Sequence, residues 1–97
     1  MSVPALLEPR EIGSVCCCFI GNLMLAYRPF VLGFKALLQA HSDGSICACD
    51  AEILYGMLDE AALRLKRGGA QAGGNPPNPK LAEKVAHASE VVRSMYN

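Results

Sequence analysis

The sequence has no tryptophan, few aromatic residues (6%) and no net charge, since nine basic side chains balance nine acidic ones. A chain without net charge has no overall field that would attract nucleic acid or an anionic membrane. Its 97 residues also leave room for one small domain only. The balanced charge therefore argues against a nucleic acid or a membrane as the binding partner.

Signals for strands and for catalysis are missing as well. No alternating polar and apolar pattern of useful length and no solenoid-type repeat is present. The glycine pairs at 68–69 and 73–74 follow a predicted helix, whereas a phosphate-binding loop follows a strand. His41 and His87 have no carboxylate at a fixed spacing that would make either a general base. We therefore expect no enzyme and no cofactor.

The sequence contains five cysteines, an odd number, and three of them are consecutive at 16–18. Adjacent helical positions point about 100° apart, so these three cannot converge on one metal ion. Cys47 and Cys49 with His41 could add soft ligands, but no CxxC pair is present. We predict no metal site and expect small buried side chains in a reducing cytosol. A redox- or metal-responsive role stays open, because a thiol at a helix N-terminus can become reactive.

An uncharged run of sixteen residues covers 12–27. As a helix it would span about 24 Å, which is short for a hydrocarbon layer of about 30 Å. It ends at Arg28-Pro29, and the preceding N-terminal segment lacks the positive charge of a secretory leader. The run therefore predicts a core helix in a cytoplasmic protein without a membrane span.

Apolar residues recur every three or four positions from near Pro9 to beyond Pro29. This spacing predicts one long helix over about 9–41, kinked at Pro29, with two separate helices as the alternative. A second helix is expected from near Asp50 to Gly68, where a glycine can end it. The two helices would form an antiparallel hairpin.

Four glycines and two prolines at 68–77 predict a flexible linker. A last helix follows Asn78, an N-cap residue, and its apolar stripe is narrow. The chain thus divides into a hairpin core at 1–67, a linker at 68–77 and a C-terminal helix at 78–97 that can dock as an arm.

The sequence as a whole predicts an all-α homodimer, because the apolar stripes exceed what one hairpin can cover. Its expected function is a small protein-interaction module, a regulator or inhibitor of bacterial or phage type that occludes a larger protein. The interface residues predicted for these contacts are Phe19, Leu23, Leu58, Leu65, Leu81, Val85, Val92 and Met95.

The alternative function, from a different functional class, is that of a DNA-associated transcriptional regulator. Arg64, Lys66 and Arg67 end the second helix, and Lys80 and Lys84 follow the linker. Such a cluster can contact phosphates, although cations at a helix C-terminus also complement the helix dipole. A steep salt dependence of binding would distinguish a DNA-binding protein from a protein-binding one.

Overall fold

The computed structural model describes residues 5–20 and 28–96. These ranges contain four α-helices: α1 (Pro9–Ile20), α2 (Arg28–Asp43), α3 (Ala48–Arg67) and α4 (Pro79–Tyr96). They contain no strand, only an isolated bridge between Gly69 and Asn75. None of the described helices is long and apolar enough to cross a membrane. The predicted all-α fold class is confirmed.

Pro29 lies in the first turn of α2, which begins at Arg28. The missing N–H of a proline removes no intrahelical hydrogen bond at that position. Pro29 therefore fits the first turn of α2. The sequence predicted one long helix kinked at this residue. Residues 21–27, through which that continuous helix would run, lie outside the described residues.

Helix α3 begins and ends within about two residues of its predicted bounds. Its N-cap residue Cys47 has extended backbone angles, and the chain leaves the helix at Gly68 with a φ of 68°. A Cβ at Gly68 would lie 2.6 Å from the backbone nitrogen of Pro77. Glycine is required here both for the positive φ and for this close approach.

The segment between α3 and α4, predicted as a flexible linker, forms a hydrogen-bonded turn. The Gly69 N–H donates to the carbonyl of Asn75 at 2.9 Å, around a 3₁₀ turn at Ala70–Ala72. The Asn78 N–H donates to the carbonyl of Leu65 at 2.8 Å, and the Asn78 side chain caps α4 through the Leu81 N–H. This turn places the first residues of α4 beside the last turn of α3.

Helix α4 packs antiparallel along α3, and this is the most extensive helix pair in the described residues. The narrow stripe that predicted a docking arm is the face that α4 buries: Leu81, Ala82, Val85, Ala88, Ser89 and Val92. The partner face on α3 consists of Ala51, Leu54, Leu58, Ala61 and Leu65. The hairpin at the centre of the core is thus α3–α4, whereas the sequence predicted the long first helix paired with α3.

A polar seam with one buried hydroxyl joins α3 to α4. The hydroxyl of Ser89, which has no accessible surface, lies 3.2 Å from the carbonyl oxygen of Tyr55 and also contacts a carboxylate oxygen of Asp59. The guanidinium of Arg93 pairs with the other oxygen of Asp59 and stacks 4.7 Å from the centroid of the Tyr55 ring. These directional contacts fix one longitudinal register between the two helices.

Helix α1 packs on the hairpin through buried Val15, Cys16 and Cys18. The Arg64 guanidinium donates to the Cys18 carbonyl at 3.4 Å and lies 4.9 Å from the centroid of the Phe19 ring. Burial raises the pKa of the Cys18 thiol to about 11, so this thiol stays protonated at neutral pH. Cys16 and Cys18 are therefore packing residues, in the role expected for the cysteine triplet.

Replacing Ser89 by alanine should lower the free energy of unfolding by about 1–2 kcal/mol, because the change removes the hydroxyl that ties α4 to the Tyr55 carbonyl and to Asp59 on α3. Ser94→Ala is the matched control, since that exposed hydroxyl bonds only to the Val91 carbonyl in its own helix. Urea denaturation measures both changes. Equal losses for the two variants would show that the seam adds no stability.

Truncation after Gly74 should unfold the chain, because loss of α4 would uncover the whole buried face of α3. Far-ultraviolet circular dichroism of the truncated chain measures the remaining helix content. A truncated chain that keeps the helix content of α1–α3 and a cooperative thermal transition would show that α4 is an accessory arm after all.

Candidate functional site

The predicted interface residues fall into three groups in the structure. Five of them are buried inside the chain, between the helices, and cannot meet a second copy in this arrangement: Leu58, Leu65, Leu81, Val85 and Val92. Phe19 is half-buried against Phe30, with 5.6 Å between ring centroids. Met95 is exposed, and Leu23 lies outside the described residues. The apolar stripes of α3 and α4 cover each other in this arrangement.

One groove runs between α3 and α4 on the outer side of the hairpin and has a volume of about 430 Å³. We call it the α3–α4 groove. Its lining consists of Asp59, Ala62, Leu63 and Lys66 from α3, with Pro79, Ala82, Glu83 and Ala86 from α4. The groove is the best candidate for a binding site because it combines a concave apolar floor with charges at its edges.

Three alanines make the groove concave. Ala62 on α3 and Ala82 and Ala86 on α4 have side chains too short to fill the space between the two helices. Leu63 stands on the α3 side with 43% of its surface exposed. A second helix surface could therefore insert apolar side chains between α3 and α4, as ridges insert into grooves in helix packing.

The charges of the groove differ in their availability. Asp59 is already engaged by Ser89 and Arg93. Lys66 on α3 and Glu83 on α4 stand on opposite walls, and neither has an ion-pair partner among the residues that the structure describes. These two charges of opposite sign are available to a bound molecule. The lining includes no histidine or cysteine in the described part of the chain.

The predicted basic cluster is partly neutralised. The Arg64 guanidinium pairs with Glu60 at 3.1 Å and reaches the end of α1, and the Lys84 ammonium pairs with Glu11 at 2.9 Å. Lys66, Arg67 and Lys80 remain as exposed cations. The cluster therefore offers fewer available charges to a phosphate backbone than the sequence indicated.

Cys47 and Cys49 are exposed at the start of α3, whereas the triplet belongs mostly to the core. Across residues 5–20 and 28–96 no three side chains of the metal-ligating types gather in one place. The exposure of Cys47 and Cys49 is the feature that a redox-responsive role would use.

Sequence reasoning missed the groove and the seam beneath it. In a helical sequence, an alanine indicates only that a helix is favoured. Because the partner helix was not known, Ala62, Ala82 and Ala86 did not indicate a groove. A signal for the seam was available: Ser89 interrupts an apolar stripe at a position that must be buried if α4 packs on a core. A buried hydroxyl requires a hydrogen-bond partner on the neighbouring helix.

Comparison with protein-family models, with curated proteins and with solved structures finds no match to this chain.

The contacts of Glu11 should make the stability of the fold vary with pH in the acid range. The Glu8 backbone N–H, which donates to Glu11, and then Lys84 hold the pKa of Glu11 below its ordinary value of 4.5. A lowered carboxyl pKa stabilises the fold above that ordinary value, and the contribution is lost as the pH falls through the lowered pKa. Glu11→Gln should therefore cost about 0.5–1 kcal/mol at pH 7 and less at pH 3.

Urea denaturation at both pH values measures this loss, with Glu90→Gln on the exposed side of α4 as the control. A Glu11→Gln variant that loses as much stability at pH 3 as at pH 7 would contradict the assignment, because its effect would then be independent of the carboxylate charge.

Proposed function

We propose that this chain is a small helical protein-interaction module with a binding rather than a catalytic role. It acts as a homodimer, and the α3–α4 groove is the interface between the two copies. The observation that carries the proposal is the pairing of an apolar, alanine-floored groove with two available charges of opposite sign on its opposite walls. Such a surface is complementary to itself.

The self-complementarity follows from the antiparallel hairpin. A two-fold axis along the groove places α3 of one copy over α4 of the other, with the turns of both hairpins at the same end. Lys66 of each copy then faces Glu83 of the second copy, and the ion pair forms twice. Leu63 of each copy packs toward the alanines of the other, in the manner of a four-helix bundle.

The energetics of the chain also favour a second copy. A chain of this size buries only about two-thirds of its surface when it folds alone, so an additional apolar interface adds a large fraction of its stability. The net charge of zero means that two copies do not repel each other as whole molecules.

The sequence predicted a regulator that binds a larger protein in the cytoplasm. We propose that the dimer has this role. The exposed apolar residues Leu32, Ile53 and Met95 are not part of the groove lining, so they stay available for a larger partner when the groove is filled. A DNA-associated role would instead use Lys66, Arg67 and Lys80, and a redox role Cys47 and Cys49.

Charge reversal on either wall of the groove should weaken the dimer. Lys66→Glu places two glutamates opposite each other at both symmetric contacts, and Glu83→Lys does the same with two lysines. Each single variant should raise the dimer dissociation constant about tenfold, whereas the double variant should restore it. Light scattering coupled to size exclusion over a concentration series measures the constant.

Mixing the two single variants gives a sharper result. A copy with Lys66→Glu and a copy with Glu83→Lys are complementary, so the mixture should form heterodimers while each variant alone dissociates. Arg67→Glu is the control, because it makes the same change of charge at an exposed site that does not line the groove. A wild-type chain that is monomeric at 100 μM would overturn the proposal, with about 100 μM taken as the weakest relevant affinity. A dimer that ignores these substitutions would place the interface elsewhere.

A further inference from the structure

His41 occupies an unusual position for a titratable group. It lies in the last turn of α2 and has no accessible surface. Neither ring nitrogen has a hydrogen-bond partner in the described part of the protein. The ring packs edge-on against Tyr96 of α4, with 6.4 Å between ring centroids. Among the described residues, packing contacts alone hold the imidazole.

This buried position favours the neutral form of the imidazole over the protonated form. A neutral ring has one N–H donor and one acceptor, and neither has a partner in the part of the chain that the structure describes. The protonated ring would have two N–H donors and a full charge at the same place, which costs far more in the absence of water or a partner. Burial accordingly lowers the pKa of His41 below its ordinary value of 6.5.

The groups around the ring do not compensate a charge on it. From α4 the titratable neighbour is Tyr96. At the corresponding end of α3 the buried residues are the apolar Ala51 and Leu54, and the acidic Asp50 and Glu52 are exposed. On α2 itself, Asp43 is exposed and accepts a hydrogen bond from Gln39 at 2.9 Å. Burial is the cause of the shift in pKa, with no contribution from a charged group among the described residues.

The attachment of α2 depends on apolar contacts. Helix α1 is tied to the hairpin by the contact of Arg64 with the Cys18 carbonyl and by the pair of Lys84 with Glu11. Helix α2 contributes buried Phe34 and Leu38 together with His41, and most of its other positions are exposed or half-buried. Its packing on α3 is much less extensive than that of α4. A charge on His41 would therefore release α2 before it disrupts the hairpin.

We propose that His41 is a pH switch: protonation of its buried imidazole releases α2 from the α3–α4 hairpin, while the hairpin itself stays folded. The release exposes Phe34 and Leu38, so the protein presents a new apolar surface in mildly acidic conditions. The proposal is independent of the dimer, because none of these residues lines the α3–α4 groove.

The direction of the pH dependence follows from linkage. The attached state prefers the neutral ring, so the attachment is fully stable above pH 6.5 and weakens as the pH falls below that value. The equilibrium constant for opening should rise by up to about tenfold per pH unit until the pH reaches the lowered pKa of the attached state, where the rise ends.

Hydrogen exchange of the full chain, measured by mass spectrometry from pH 7 to pH 4.5, tests the switch. After correction for the intrinsic exchange rate, amides of α2 should lose protection below pH 6.5, while those of α3 and α4 keep theirs. His41→Phe keeps a ring of similar size but cannot be protonated, so its α2 should stay protected. His87→Gln is the control, because His87 is exposed on α4 and should not affect the switch.

His41→Met serves if the phenylalanine ring does not fit the core. Nuclear magnetic resonance of the wild-type chain provides a measurement without substitution, in which the His41 ring should titrate together with the loss of α2 protection. Three results would overturn the proposal: a folded His41→Phe or His41→Met variant whose α2 still opens in acid, simultaneous loss of protection in α2 and α4, or titration of His41 near 6.5 with α2 fully attached.

Discussion

The buried hydroxyl of Ser89 is the constraint on which the arrangement of the helices depends. It can meet the Tyr55 carbonyl and Asp59 only when α3 and α4 adopt one register, because shifting α4 by one turn moves each of its side chains by about 5.4 Å. Any other register removes these contacts between Ser89 and α3. The seam thus selects one packing from the several that two apolar stripes would allow.

That register determines what the outer surface offers. With Ser89 directed at Asp59, the short side chains of Ala62, Ala82 and Ala86 line the outer side of the hairpin and leave the groove between the two helices. Helices α1 and α2 complete the core against the same hairpin. Helix α2 brings the buried imidazole of His41 into that core.

The sequence predicted the helical class, the bounds of α3 and the start of α4, since each rests on local signals such as Gly68 and Asn78. It did not predict which helices pair, because apolar periodicity shows that a face is buried but not what covers it. The glycines and prolines at 68–77 indicated flexibility, although the same residues form a tight turn once Gly69 and Asn75 pair. The groove depends on the pairing of α3 with α4, so local sequence patterns did not predict it.

The central claim is that α3 and α4 form one cooperative unit. Native-state hydrogen exchange at neutral pH, resolved by amide, measures it most directly. We expect the slowest amides of both helices, around Leu58 and Val85, to exchange only through global unfolding and to share one free energy of opening. Amides of α4 that exchange through a separate opening, with α3 still protected, would contradict it.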